Sequence, residues 1–206
     1  IAAGNIETLK ALLIENVSAR KVGKDGRTDL IFAVDMESIT MVRDLLVVSD
    51  ISAFDANGRT ALLAAVMADR LDIVKVLVDA GASLAVKTAD GMDALDLAFK
   101  AKNVNMINYL LSKKMTPSIN LVIDLIASGD LAMFQLIVDK IEITDAMLAI
   151  AVDKGQLPMM TYLVNLGANL KAPEVVFSIE NLDKLYAACG IYLESVIEWD
   201  IYSLNL

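Results

Sequence analysis

The feature that most constrains this chain is a spacing of apolar residues that recurs along it. In Leu71-Asp72-Ile73-Val74-Lys75-Val76-Leu77-Val78, apolar residues hold the first, third, fourth, seventh and eighth places. Those places lie on one face of an α-helix. The pattern returns at Ile39, Val104, Leu131 and Leu157, and with one polar substitution at Ile6 and Leu182. The steps between these starts are 33, 32, 33, 27, 26 and 25 residues. A single short amphipathic helix cannot close a core. Helices recurring on such a period must bury their apolar faces against one another in a stack.

A second, shorter helix is expected ahead of each of these. Thr28, Thr60, Asp93 and Asn120 hold one equivalent position, followed two residues later by Leu30, Leu62, Leu95 and Val122. All four are good helix N-caps, and in the next unit Thr144 or Asp145 fills the role. Glycine turns join the two helices at Ser128-Gly129-Asp130 and Lys154-Gly155-Gln156. Between units stand Asp25-Gly26-Arg27-Thr28, Asn57-Gly58-Arg59-Thr60 and Asp90-Gly91-Met92-Asp93, which read as tight turns.

Composition narrows the chemistry. Of 206 residues, 56% are apolar and only 5% aromatic, which suits many thin helices and excludes intrinsic disorder. There is no His and a single Cys, Cys189, which removes Cys/His zinc sites, His-dependent catalytic triads and an intramolecular disulfide. The net charge of −9 disfavours binding to nucleic-acid phosphates. The longest apolar run, Ala61 to Ala68, is far shorter than a membrane span. No phosphate-cradling Gly-rich motif is present, and Asp55-Ala56-Asn57-Gly58 lacks the later residues of a calcium loop. No enzymatic activity, cofactor or metal is therefore expected. The chain begins at Ile1, so it is read as trimmed or as a piece of something longer.

The segment from Asp55 to Leu84 resembles an ankyrin repeat. Asp55, Gly58, Thr60, Leu62, Ala64, Ala65, Ile73, Val74, Leu77, Val78, Gly81 and Ala82 stand in the family's places. The family's Thr-Pro-Leu-His motif never appears whole; its Pro place holds Asp29, Ala61 and Ala94, and its His place Ile31, Leu63 and Asp96. The resemblance implies an all-α fold: an α-solenoid of stacked helix-turn-helix repeats with short β-hairpin fingers, mainly in the N-terminal half. The solenoid would span residues 1–190. It would hold a partial unit at 1–22 and units near 23–54, 55–87, 88–114, 115–140, 141–171 and 172–190. Residues 191–206 would form a C-terminal cap or begin a following segment. Fingers are expected near 19–27, 50–59 and 83–92. The shorter later period leaves little room for them.

The resemblance also implies a function. Ankyrin-like solenoids bind proteins on a concave face built from finger tips and the ends of the first helices. Carried over residue by residue, that face comprises Lys24, Arg27, Asp35, Met36, Asn57, Arg59, Met67, Asp90, Met92 and Lys100. Met repacks around varied shapes, and Arg offers forked donors to a carboxylate or phosphate. The expected partner is a protein or peptide, with a basic surface favoured by the acidic balance of the chain. No nucleic-acid or membrane partner is expected, and the chain is read as a monomer. The alternative is the recruiting arm of a larger enzyme or secreted bacterial effector, with its chemistry outside these residues. The expected compartment is the cytoplasm, or a host cytosol in the effector case.

Overall fold

The computed structural model describes residues 26–170 together with Ala172 and Val175. The expected partial unit 1–22, Lys24, nearly all of the expected unit 172–190 and the segment 191–206 lie outside the described residues. The chain divides between Met115 and Thr116 into two compact units.

The first unit holds three helix pairs: α1 (Asp29–Asp35) with α2 (Ile39–Leu45), α3 (Ala61–Met67) with α4 (Leu71–Asp79), and α5 (Ala94–Lys100) with α6 (Val104–Ser112). Helix α3 packs between α1 and α5, and α2 packs on α4. The central position of α3 explains its sequence. Ala61 to Val66 are all buried, as a helix covered on both sides must be. Alanines at 61, 64 and 65 let the neighbouring helices approach, while Leu62, Leu63 and Val66 each contribute about 1.5–3 kcal/mol of burial. The N-caps expected at Thr28, Thr60 and Asp93 are in place. Thr28 Oγ1 accepts from Ile31 N at 3.2 Å, and Thr60 Oγ1 from Leu63 N at 3.4 Å. Asp93 makes a full capping box, accepting from Asp96 N at 3.0 Å while its own N–H donates to Asp96 Oδ2 at 3.1 Å.

Each second helix begins where the apolar pattern begins, at Ile39, Leu71 and Val104 in this unit. The turn before it is tight. Glu37, Asp69 and Lys102 carry φ of 53°, 58° and 53°, a left-handed conformation that side chains disfavour. Side chains one repeat later hold two of these turns. Arg70 Nη1 donates to the Glu37 carbonyl and to its carboxylate, both at 3.0 Å, and Asn103 donates to the Asp69 carboxylate.

The second unit pairs α7 (Ile119–Ser128) with α8 (Leu131–Gln135) and α9 (Asp145–Asp153) with α10 (Leu157–Asn165). Helix α7 packs on α9, and the buried Phe134 ring meets Tyr162 edge-on at 6.2 Å. Here the inter-helix turns use Gly129 and Gly155, with φ of 71° and 65°. The N-cap of α7 is Ser118, which accepts from Leu121 N at 3.1 Å, and Asn120 lies inside the helix. The reason is an extension. First helices are 7 residues long in α1, α3 and α5 but 10 in α7 and 9 in α9. The added helical residues begin where the earlier repeats carry their finger. Among the described residues the fingers themselves contain no β-strand; Thr28 forms an isolated bridge. They are hydrogen-bonded turns, closed by Asp55 N to the Arg59 carbonyl at 2.9 Å and by Thr88 N to the Met92 carbonyl at 2.8 Å.

Candidate protein-binding surface

The surface is built from two finger turns and the C-terminal ends of α1, α3 and α5. The finger before α3 is organised by one carboxylate. Asp55 is buried, and its Oδ1 accepts from Asn57 N at 2.9 Å and Arg59 N at 2.8 Å. Its Oδ2 accepts from Arg59 Nε and pairs with Nη2, each at 2.8 Å. Burial works against the charged form, but the Arg59 backbone N–H, its guanidinium and the Asn57 N–H outweigh it. The carboxyl is therefore held below its ordinary range. The next finger has no such carboxylate. Thr88 takes the place of Asp55 and accepts from Met92 N at 3.2 Å, so Met92 needs no guanidinium.

In the repeat before, Gly23 occupies the place of Asp55, and Arg27 turns elsewhere. Its Nη1 pairs with Asp35 Oδ2 at 3.0 Å, and its guanidinium stands 5.5 Å from the centre of the Phe32 ring, within the range of a cation–π contact. Asp35 Oδ2 is also 4.0 Å from Arg59 Nη2. Arg27, Asp35, Arg59 and Asp55 thus form a ladder of alternating charge across two repeats. Both arginines are paired within the chain, Arg59 through Nε and Nη2 to Asp55 and Arg27 through Nη1 to Asp35.

Asn57, Asp90 and Lys100 are exposed, and Met92 is half-buried. Met36 and Met67 are open, at 48% and 54% exposure, although they are not equivalent positions. Met67 is the last residue of α3 and matches Asp35 in α1; Met36 is the C-cap of α1 and matches Ala68. Sequence reasoning missed Phe32, which is 43% exposed. Its signal was available. Leu30, Ile31, Ala33 and Val34 form the buried side of α1, so Phe32 shares the outer face with Asp35 and Met36 at helical spacing. The surface therefore combines an internally neutralised charge ladder with three large apolar side chains left in water.

Among the described residues, no helix is long and apolar enough to cross a membrane, and no group of three metal-ligating side chains is assembled. Nothing in the ladder has the geometry of a reacting pair; each carboxylate is committed to an arginine.

Comparisons with known proteins agree on the repeat type. A family model described as ankyrin repeats, in three copies, matches residues 1–88 and 48–123. A protein of Rickettsia felis described as an ankyrin repeat protein is 36% identical over 107 residues, which is 51% of this chain and 28% of that protein. The chain thus spans little more than a quarter of that relative's length. Among solved structures, the ankyrin repeat domain of Bcl-3, a member of the IkappaB protein family, superimposes with a TM-score of 0.69 at 23% identity, covering 81% of this chain and 83% of that one. At that identity the likeness is one of fold.

Proposed function

Because this chain belongs to the ankyrin repeat family, we propose that it is a non-enzymatic interaction module that binds a peptide or protein partner on the face made by the finger tips and the ends of α1, α3 and α5. The observation that carries this reading is the exposure of Phe32, Met36 and Met67 beside the Arg27–Asp35–Arg59–Asp55 ladder. Large apolar side chains left in water around a fixed polar frame are the kind of surface from which binding energy is drawn. Asn57, Asp90 and Lys100 form the polar surroundings that would tune selectivity.

The test is a double substitution, Met36→Glu with Met67→Glu, that leaves the ladder intact. Both sites are open to water, so circular dichroism and the melting temperature should stay as in wild type. Immobilised wild type should retain a protein from lysate that the variant does not, and that protein should bind purified wild type directly. Equal retention by both would remove this face from consideration.

A second reading is favoured by one observation: the chain spans only 28% of its Rickettsia relative. On that reading the repeats are the recruiting arm of a longer protein whose chemistry lies in other residues. The full-length open reading frame distinguishes the two.

A further inference from the structure

The three finger tips share an Asx-Gly step: Asp25-Gly26, Asn57-Gly58 and Asp90-Gly91. Two of them carry a carboxylate and the middle one an amide. Asn57 is the only Asn in the chain followed by Gly. It is exposed, and among the described residues its carboxamide has no hydrogen-bond partner; the bond at this residue is made by its backbone N–H. Space around the tip is open, since a Cβ built on Gly58 would meet only Ala89 N, at 4.0 Å. We propose that Asn57 is a site of slow, uncatalysed deamidation that converts the middle finger tip from neutral to anionic.

The chemistry needs only water. The Gly58 backbone nitrogen, on losing its proton, attacks Cγ of Asn57. The bond from Cγ to Nδ2 breaks, and the side-chain nitrogen leaves as ammonia. The five-membered imide so formed is opened by water at either of its two carbonyls, giving aspartate or isoaspartate at position 57. Glycine favours the step because no side chain obstructs the attacking nitrogen.

The fold sets the pace. In the closed turn, Gly58 N–H is held by the Asp55 carbonyl at 3.0 Å, and Asp55 Oδ1 grips the N–H groups of Asn57 and Arg59 on either side. Attack requires this turn to open, so the rate follows the open fraction. The buried Asp55 carboxylate is then a brake on the reaction. The product has consequences for the surface: the tip at position 57 would carry a charge like that of Asp90 in the next finger, and isoaspartate would lengthen the backbone inside the Asp55 grip. The chemistry itself does not depend on the proposed binding function.

The experiment incubates the purified chain at mildly alkaline pH and follows each Asn by peptide mass spectrometry, with isoaspartate detected by its separate chromatographic elution. A urea-unfolded sample gives the rate without the fold. Wild type should gain the acid at position 57 ahead of every other Asn, more slowly than the unfolded chain. Gly58→Ala should suppress it. Asp55→Ala, with circular dichroism confirming retained helix, should accelerate it roughly tenfold. If that variant loses its helix, hydrogen exchange at Gly58 N–H in wild type at two urea concentrations replaces it and should rise in step with deamidation. A folded wild type that keeps its amide after the unfolded chain has fully converted would overturn the proposal. Equal reaction at other Asn residues would do the same, and an unchanged rate in a folded Asp55→Ala would remove the brake.

Discussion

Asp55→Asn isolates what one buried charge contributes to the repeat. The substitution keeps shape and leaves Oδ1 able to accept from the Asn57 and Arg59 N–H groups. It removes the charge that holds Arg59 Nε and Nη2 at 2.8 Å. Hydrogen bonds to a charged group contribute about 1.5–3 kcal/mol and neutral ones about 0.5–1.5. Arg59 is partly open to water, which recovers some of the loss. Together these give a destabilisation of about 2 kcal/mol at neutral pH, or a fall in Tm of roughly 4–8 °C for a chain of this size. The sign of the pH dependence follows from the depressed carboxyl of Asp55. A group whose folded value lies below its unfolded one stabilises fully above the unfolded value of about 4 and loses that contribution as pH falls through the folded value. Urea unfolding followed by circular dichroism should therefore show the gap between wild type and Asp55→Asn at its full size near neutrality, narrowing below about pH 4. A gap that persists unchanged into acid, or an amide variant as stable as wild type at neutral pH, would refute the assignment of this carboxylate as a charged staple.

Two further outcomes concern the inter-helix turns. Lys102→Gly relieves a left-handed side-chain residue at φ 53°, and thermal unfolding should show about 1 kcal/mol of added stability. Gly129→Ala should cost more than its left-handed φ of 71° alone requires. A Cβ at 129 would overlap the Gln156 carboxamide, whose Nε2 donates to the Ala127 carbonyl at 2.8 Å. Breaking that bond adds about 1 kcal/mol to the conformational cost, readable in the same melts.

The sequence made the second helices legible because their signal is purely local. Ile39, Leu71, Val104, Leu131 and Leu157 begin both the apolar pattern and the helices. Caps were legible where a short polar residue abuts an apolar run, as at Thr28, Thr60 and Asp93. At Asn120 the same cue misled, since Ser118 lies two residues earlier and the longer helix satisfies more backbone groups. The turns at Glu37, Asp69 and Lys102 carry no glycine to announce them. The first two are held by tertiary partners, Arg70 and Asn103, which lie 33 and 34 residues away in sequence. The surface was half legible. Its residues could be enumerated from the repeat register, but the pairing of Arg27 with Asp35 across a helix is a contact no spacing encodes.

That ladder decides which force should dominate at the proposed surface, and salt separates the alternatives. Four charges of Arg27, Asp35, Arg59 and Asp55 cancel within one strip, so little net field remains there to attract a charged partner. The background of −9 over the whole chain acts at longer range and is screened beyond about 8 Å at physiological ionic strength. If Phe32, Met36 and Met67 carry the affinity, raising salt from about 0.05 to about 0.5 M should slow association but leave the dissociation rate of a captured partner nearly unchanged. Met67→Glu should raise that dissociation rate at every salt concentration. Surface plasmon resonance measures both rates. A dissociation rate that climbs steeply with salt in wild type, with Met67→Glu indistinguishable from it, would mean that the affinity comes from charge and that the apolar strip is a bystander.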